Sequence, residues 1–192
     1  MAKYLDQILE PLEQLKTEVN GKLTHKESSW YNGRAYFPYH IITLTSDNAI
    51  LSYEYRVSDF SKSNFMNPDD EKDRHNFTFE SISKNETKSY KATIRTTYSL
   101  FNRKRKPVFK ISCKDSKFSR FLKTLSILED YYDNSLNSSE FEPVIYVRSK
   151  NGRTTVNIYF MLPCFEIDIV RQTYLLSEAI MKFCDAGVEN AT

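Results

Sequence analysis

The first apolar pattern along the chain has the period of a helix. Apolar side chains near the N-terminus recur at spacings of three and four, so they share one helix face. The pattern predicts a helix over residues 3–20, with Pro11 as the site of a kink and Gly21 as its stop. The residues that carry it are Leu5, Ile8, Leu12, Leu15 and Val19.

From residue 36 to residue 114 the period changes to two, which is typical of strands with one buried face. The runs YHIITLT and AILSYEYRV, joined at residues 46–48, predict a hairpin. The runs NFTFESI, YKATIRTTYSL and PVFKISCK predict three further strands. Polar stretches between them, the longest being SKSNFMNPDDEKDRHN, are typical of loops.

Helical spacing returns at residues 115–133, where Asp115 or Ser116 can cap the helix. Asn151 and Gly152 then separate two alternating runs, which is the strongest short signal for a hairpin. The pattern after this hairpin predicts a last, well-buried helix over about 166–186.

The order of these elements predicts the fold class. A helix (3–20), a strand-rich part (36–114) and a helix–hairpin–helix part (115–187) show no alternation of strand and helix. Such an order favours an α+β fold, with an antiparallel sheet of five or more strands and helices mainly on one face. We expect residues 1–192 to form one such domain.

The runs SKFSRFLKTL and PVIYVRSKNGRTTVNIYFMLPCFEIDIVRQTYLLSEAIMKFCDA lie within roughly the last 80 residues. In their order of helix, hairpin and helix they resemble the closing part of the type III secretion chaperone-like fold. Proteins of that fold tend to be shorter and acidic and to dimerise. The resemblance therefore implies a protein-binding role and a homodimer, although this chain is longer and has a basic centre.

Length and composition describe a folded chain with free thiols. With 192 residues, of which 40% are hydrophobic, a core can form without metals or disulfides. The N-terminal stretch does not have the pattern of a secretory signal, and the apolar runs are too short to cross a bilayer. The wide spacing of Cys113, Cys164 and Cys184 favours free thiols. We therefore expect a cytoplasmic protein that makes no contact with a membrane.

The net charge of +2 is unevenly distributed along the chain. Residues 88–123 carry twelve basic side chains and one acidic side chain, Asp115. The stretches before and after them carry an excess of acidic side chains. A block of one sign inside a nearly neutral chain indicates a surface that binds an anionic partner.

The commonest phosphate-binding, hydrolase and metal motifs are absent from the sequence. It has no Gly-rich phosphate loop and no GxSxG nucleophile elbow. His25, His40 and His75 are too scattered to predict a metal site with each other or with the cysteines. We interpret the chain as a non-catalytic binding protein and expect no cofactor.

One class of enzyme stays open as an alternative. Pro68 and Asp69, followed by Glu86 and Lys88, resemble the PD-(D/E)xK nuclease motif. In that motif two acids hold Mg²⁺ and a lysine steadies the attacking water or the developing charge. Both acids lie in polar stretches without a strand pattern, so solvated loops are the favoured interpretation.

Strand alternation predicts which side chains of the basic block face outward. Apolar residues of the YKATIRTTYSL and PVFKISCK runs share one face, and the Lys, Arg, Thr and Ser residues share the other. If Lys150 faces Arg153 across the Asn-Gly turn, an outer face of the second hairpin carries tyrosines beside an arginine. Cations and hydroxyls suit phosphates, and open aromatic rings suit stacked bases.

These observations predict a nucleic-acid-binding protein that contacts the backbone or a single strand. The alternative is a protein-binding module, such as a chaperone, adaptor or inhibitor, that docks on an acidic partner surface. A solvated sheet face, whose charges only prevent edge-to-edge aggregation, is the third interpretation. The predicted nucleic-acid-binding residues are Lys91, Arg95, Arg103, Lys104, Arg105, Lys106, Lys110, Lys114, Tyr146, Arg148 and Tyr159.

Overall fold

The computed structural model describes residues 5–31, 36–46, 49–56, 74–82, 89–97, 108–128, 143–160 and 166–186. Within them lie eight strands and three helices, besides a helical turn at 126–128. The helices are α1 (Leu5–Glu18), α2 (Ser116–Thr124) and α3 (Ile167–Ala186). The strands are β1 (Lys22–Tyr31), β2 (Tyr36–Ser46), β3 (Ala49–Arg56), β4 (Arg74–Ile82), β5 (Tyr90–Thr97), β6 (Val108–Cys113), β7 (Val144–Lys150) and β8 (Arg153–Phe160).

The eight strands form one sheet in the order β1-β2-β3-β4-β8-β7-β5-β6. Every neighbouring pair is antiparallel. The first four strands form a meander, and the β7–β8 hairpin is inserted between β4 and β5. The predicted α+β class with an antiparallel sheet of five or more strands is confirmed.

The helices cover one face of this sheet. Strand residues on that face are buried, such as Leu51 in β3, Phe79 in β4 and Val156 in β8. The apolar face predicted for α1 is buried through Ile8, Leu12 and Leu15. The alternate strand residues point to the opposite face, which is mostly polar and charged and also exposes Ile50, Tyr146 and Tyr159. It is this second face that carries the candidate site.

Aromatic rings hold α2 and α3 against the sheet. Phe118 of α2 has no solvent exposure, and its ring centroid lies 4.9 Å from that of Tyr90 in β5 and 5.3 Å from that of Phe183 in α3. Phe121 stacks on Phe183 with the centroids 4.2 Å apart. Asp115 caps α2 by accepting a 2.8 Å hydrogen bond from the amide of Phe118, as one of the two predicted caps.

An ion-pair cluster joins the end of α1 to the start of α3. The guanidinium of Arg171 donates two hydrogen bonds to the carboxylate of Glu18, at 2.8 and 2.5 Å, and one to Asp168 at 2.6 Å. This bidentate contact holds the pKa of Glu18 below its ordinary value. The pair fixes the first helix beside the last one in sequence.

Gly21 was expected to end α1, but the residue with the helix-ending backbone conformation is the one before it. The left-handed residue is Asn20, with φ 50°, and the amide of Gly21 donates to the carbonyl of Lys16 at 2.9 Å. Gly21 is needed for a close approach instead. A Cβ there would lie 2.8 Å from Leu44 Cδ1 and 2.9 Å from the Thr45 carbonyl oxygen.

The sequence analysis missed β1 and placed the first strand at residue 36. Thr24, His25, Lys26 and Glu27 are all exposed in β1, so no apolar alternation marks the strand. Its position at the edge of the sheet explains this pattern, because an edge strand is less covered than a central one. Pairing with β2 along its whole length holds β1 in place, and Leu23 adds a partly buried contact with the core.

The helix predicted over 115–133 is interrupted at Leu125, whose backbone is extended. The hydroxyl of Thr124 donates a 2.8 Å hydrogen bond to the carbonyl of Phe121. That carbonyl would accept from the amide of Leu125 if the helix continued, so the side chain competes with the helical pattern there. The helix predicted at about 166–186 is confirmed as α3.

Candidate functional site

The candidate site lies on the outer face of the four strands β8, β7, β5 and β6, which are neighbours in the sheet. We call the outward-pointing side chains of these strands, together with Lys114 directly after β6, the β5–β8 surface. The turn of Asn151 and Gly152, with φ of 52° and 71°, sets the register of its β7–β8 hairpin. The predicted pairing of Lys150 with Arg153 is present.

The structure brings seven of the eleven sequence-predicted residues together on this surface, and all seven are exposed. They come from strands that are remote in sequence and adjacent in the sheet. The other four, at residues 103–106, lie outside the described part of the chain. The seven residues are Lys91, Arg95, Lys110, Lys114, Tyr146, Arg148 and Tyr159.

The charge of the four strands is entirely positive. β5, β6, β7 and β8 contain six lysines and arginines and no aspartate or glutamate. One cation, Arg153, donates to the carboxylate of Glu80 on β4 at 2.8 Å. Among the described residues, the other five have no carboxylate partner within ion-pairing distance. These five are Lys91, Arg95, Lys110, Arg148 and Lys150.

Several of these cations lie directly opposite one another on paired strands. Lys91 on β5 is opposite Arg148 on β7, and Arg95 on β5 is opposite Lys110 on β6. Directly opposed residues have Cβ atoms about 4.5–5.5 Å apart, and like charges at such positions destabilise a sheet. We call these two the cross-strand cation pairs. The surface therefore carries repulsion that an anion bound between the side chains would relieve.

A groove of about 950 Å³ opens at one end of the β5–β8 surface. Four cations line it, namely Lys91, Lys114, Arg148 and Lys150. Hydroxyl groups of Ser112 and other residues lie on the same walls. Ammonium, guanidinium and hydroxyl groups are the donors that bind phosphate oxygens. The carboxylate of Asp115, which caps α2, also lies on the groove, so four cations and one carboxylate leave it with the net positive charge that suits an anion.

Two tyrosines lie beside the cations. Tyr146 on β7 and Tyr159 on β8 are 46% and 45% exposed, and their ring centroids are 5.7 Å apart in an edge-to-face arrangement. A groove of about 450 Å³ is lined by both rings, Val144 and Asn157. Large aromatic side chains this exposed offer open π-faces for stacking. They are also among the few exposed large hydrophobic residues that the structure describes.

The sequence analysis missed a contact between two histidines. Nε2 of His25 lies 3.2 Å from Nδ1 of His40, although the two residues are scattered in the sequence. The reason is the missed strand β1, since its pairing with β2 is what brings the rings together. Burial is the largest cause of the lowered pKa of His40; Glu27 opposes the shift and His25 adds to it. Within the described ranges, no group of three potential ligands could hold a metal ion.

Some sequence-based interpretations fall outside the described residues. The nuclease-like acids Asp69 and Glu86, with Lys88, are in this group, and so is Cys164.

Among the helices of the described residues, none is both long enough and apolar enough to span a membrane. Comparison of the chain with protein-family models, curated proteins and solved structures found no match.

Proposed function

We propose that this protein binds nucleic acid through the β5–β8 surface, without catalysis. The observation that carries the proposal is the charge of four adjacent strands, which hold six cations and no carboxylate. Five of these cations lack a carboxylate partner among the described residues. Cations without partners are available to neutralise phosphates and to release their counterions.

The hydroxyl groups between the cations support a contact with the nucleic-acid backbone. Thr93 on β5 lies opposite Ser112 on β6, in the row between the two cross-strand cation pairs. Hydroxyls donate hydrogen bonds to phosphate oxygens without reading the base sequence. A surface made of cations and hydroxyls is therefore suited to binding without strong sequence preference.

The two tyrosines support a single strand over a duplex. Tyr146 and Tyr159 are exposed next to Arg148 and Asn157 on an open sheet. Bases of a single strand can stack on such rings, whereas the bases of a duplex are already stacked on each other. We propose single-stranded DNA or RNA as the preferred ligand.

Salt dependence of oligonucleotide binding tests the proposed function. We expect a labelled single-stranded oligonucleotide to bind with log K falling by roughly 0.7 per contacted phosphate for each unit of log salt. Fluorescence anisotropy across a series of salt concentrations measures this slope. Absence of binding to single- and double-stranded DNA and RNA at about 100 µM protein, the weak limit for non-specific binders, would refute the proposal.

We predict that Tyr146→Ala or Tyr159→Ala weakens binding by about 1–3 kcal/mol per lost stack, with the salt slope unchanged. The affinity changes because a stacking face is removed, and the slope does not change because no cation is removed. Tyr146→Phe should bind normally, since the ring is kept. Tyr31→Ala serves as the control for an exposed tyrosine elsewhere in the sheet. Equal affinities of all four variants would contradict stacking.

A protein with an acidic surface is the second candidate partner. Carboxylates fit the same cross-strand cation pairs, and the resemblance to type III secretion chaperone-like proteins implies a protein-binding role. In that case oligonucleotides should not bind at physiological salt, and the tyrosine substitutions should have no effect on what binding remains. The same resemblance implies a homodimer, which light scattering of the purified protein measures.

We propose a cytoplasmic location, supported by the free thiols of Cys113 and Cys184. Burial raises the pKa of Cys184 to about 12, so this thiol is protonated and shielded in the folded protein. We predict that a thiol reagent applied to the native protein modifies Cys113 and leaves Cys184 unmodified. Denaturation without a reductant should expose all three cysteines. Peptide mass mapping measures both, and a modified Cys184 in the native protein would contradict the prediction.

A further inference from the structure

We infer that the bound strand lies along β5, parallel to the β-strands, and that each cross-strand cation pair holds one phosphate. This inference rests on the proposed function and adds the path and footprint of the ligand. It follows from the register of the sheet, which places the pairs Lys91–Arg148 and Arg95–Lys110 at two levels along β5.

The two cross-strand cation pairs are separated along the strand direction. Lys91 and Arg95 are four residues apart on β5, which corresponds to about 13 Å at a rise of about 3.3–3.4 Å per residue. This separation exceeds the ~3.4 Å rise per nucleotide of a stacked strand. The two pairs therefore contact phosphates that are not neighbours along the nucleic acid.

The residues midway between the two cross-strand cation pairs are uncharged, and one of them is a tyrosine. Thr93 on β5 is opposite Ser112 on β6 and Tyr146 on β7. A strand with its outer phosphates on the two pairs would place an intermediate phosphate over the hydroxyls and a base over Tyr146. Tyr159 lies one strand further, on β8, where a following base can reach it.

The sheet also offers a path perpendicular to this one. A single row of uncharged polar side chains crosses all eight strands, each member directly opposite the next. Some members are hydrogen-bonded, such as Thr78 Oγ1, which donates to Asn157 Oδ1 at 2.8 Å. In sheet order the row is Thr24, Thr43, Ser52, Thr78, Asn157, Tyr146, Thr93 and Ser112.

Charges beside the row decide between the two paths. On β3 and β4 the outward residues next to it include Glu54 and Glu80. On β5, β6 and β7 they include Lys91, Arg95, Lys110 and Arg148, and no carboxylate. A polyanion that crossed the sheet would leave the cross-strand cation pairs and reach β3 and β4, where Arg153 already neutralises Glu80 and Glu54 adds a negative charge, so this path is the less favourable one. A strand that follows β5 stays among cations along its length.

The spacing of each pair favours one shared phosphate. Two cationic side chains whose Cβ atoms are about 5 Å apart can both reach the oxygens of a single phosphate. One bound anion then lies between two like charges and removes their repulsion. Two phosphates bound separately would bring two negative charges equally close together.

Matched hydroxyl substitutions in the row test the path. We expect the double variant Thr93→Val, Ser112→Ala to bind a labelled oligothymidylate about 2- to 10-fold more weakly, as for lost hydrogen bonds. The control is Thr43→Val, Ser52→Ala, which removes the same groups from the same row on β2 and β3. The control should bind like the unmodified protein. Equal losses in both double variants would show that the strand crosses the sheet.

The salt slope tests how many phosphates a pair holds. For the double variant Lys91→Ala, Arg148→Ala we expect the slope of log K against log salt to fall in magnitude by roughly 0.7, which corresponds to one phosphate. A fall of roughly 1.4 would assign one phosphate to each cation and overturn the sharing. If the unmodified protein binds no oligonucleotide, the proposed function fails; if it binds with another slope or path, only this inference fails.

Discussion

Replacing Lys91, Arg95, Lys110 and Arg148 together by threonine is expected to weaken oligonucleotide binding by about 100-fold at physiological salt, as for two lost charge-assisted contacts. The same variant is expected to unfold at a higher denaturant concentration than the unmodified protein. Both effects have one cause. The side chains that bind phosphate repel each other in the free protein, and threonine is well suited to a strand.

The expected gain in stability is small but measurable. A directly opposed pair contributes about 0.2–1 kcal/mol, so relief at two pairs should raise the free energy of unfolding by roughly 0.5–2 kcal/mol. Urea titration measures this change, and anisotropy on the same preparation measures binding. A variant that is more stable but binds the oligonucleotide more weakly would show that these charges serve ligand binding and not folding.

A matched control for this variant exists at the far edge of the sheet. Lys22 and Lys26 are exposed on β1, and neither belongs to a directly opposed cation pair there. Replacing both by threonine should leave the salt slope unchanged and should not raise the free energy of unfolding. The control removes two cations and the test variant removes four. If the loss of affinity per removed cation were the same in both, the overall charge of the chain would explain binding and the β5–β8 surface would not.

Phe118→Ala is expected to lower the free energy of unfolding by about 3–5 kcal/mol, the range for truncating a buried aromatic residue. Phe118 is completely buried, and its ring packs against Tyr90 of β5 and Phe183 of α3. The truncation leaves a cavity between α2, α3 and the sheet. Because most domains are stable by only about 5–15 kcal/mol, this variant should lose much of its stability.

Denaturant unfolding followed by circular dichroism measures the effect of Phe118→Ala. Leu175→Ala is the control, because Leu175 is 41% exposed on α3 and truncating it should change stability little. A loss of less than about 1 kcal/mol for Phe118→Ala would contradict the packing described here. The β5–β8 surface lies on the other face of the sheet, so folded Phe118→Ala protein should still bind oligonucleotides.

Local sequence determined much of this structure because its signals act between near neighbours. Alternation places Lys91 and Arg95 on the face of β5 opposite to Tyr90 and Ile94, since side chains of a strand alternate. Asn151 and Gly152 adopt the left-handed conformations that a two-residue turn requires. The carboxylate of Asp115 caps α2 from three residues away. Each of these features depends on backbone geometry within a few residues.

Only the tertiary structure decided which strands are neighbours. The pairing of β5 with β7 sets Lys91 opposite Arg148, and the pairing of β4 with β8 brings Glu80 to Arg153. The edge strand β1 was not visible in the sequence, because a strand held by backbone hydrogen bonds needs no apolar alternation. These contacts join residues far apart in the chain, and they form because the buried faces of all strands share one core. The sequence by itself therefore determined which side chains point outward, and the packing of that core decided which of them meet.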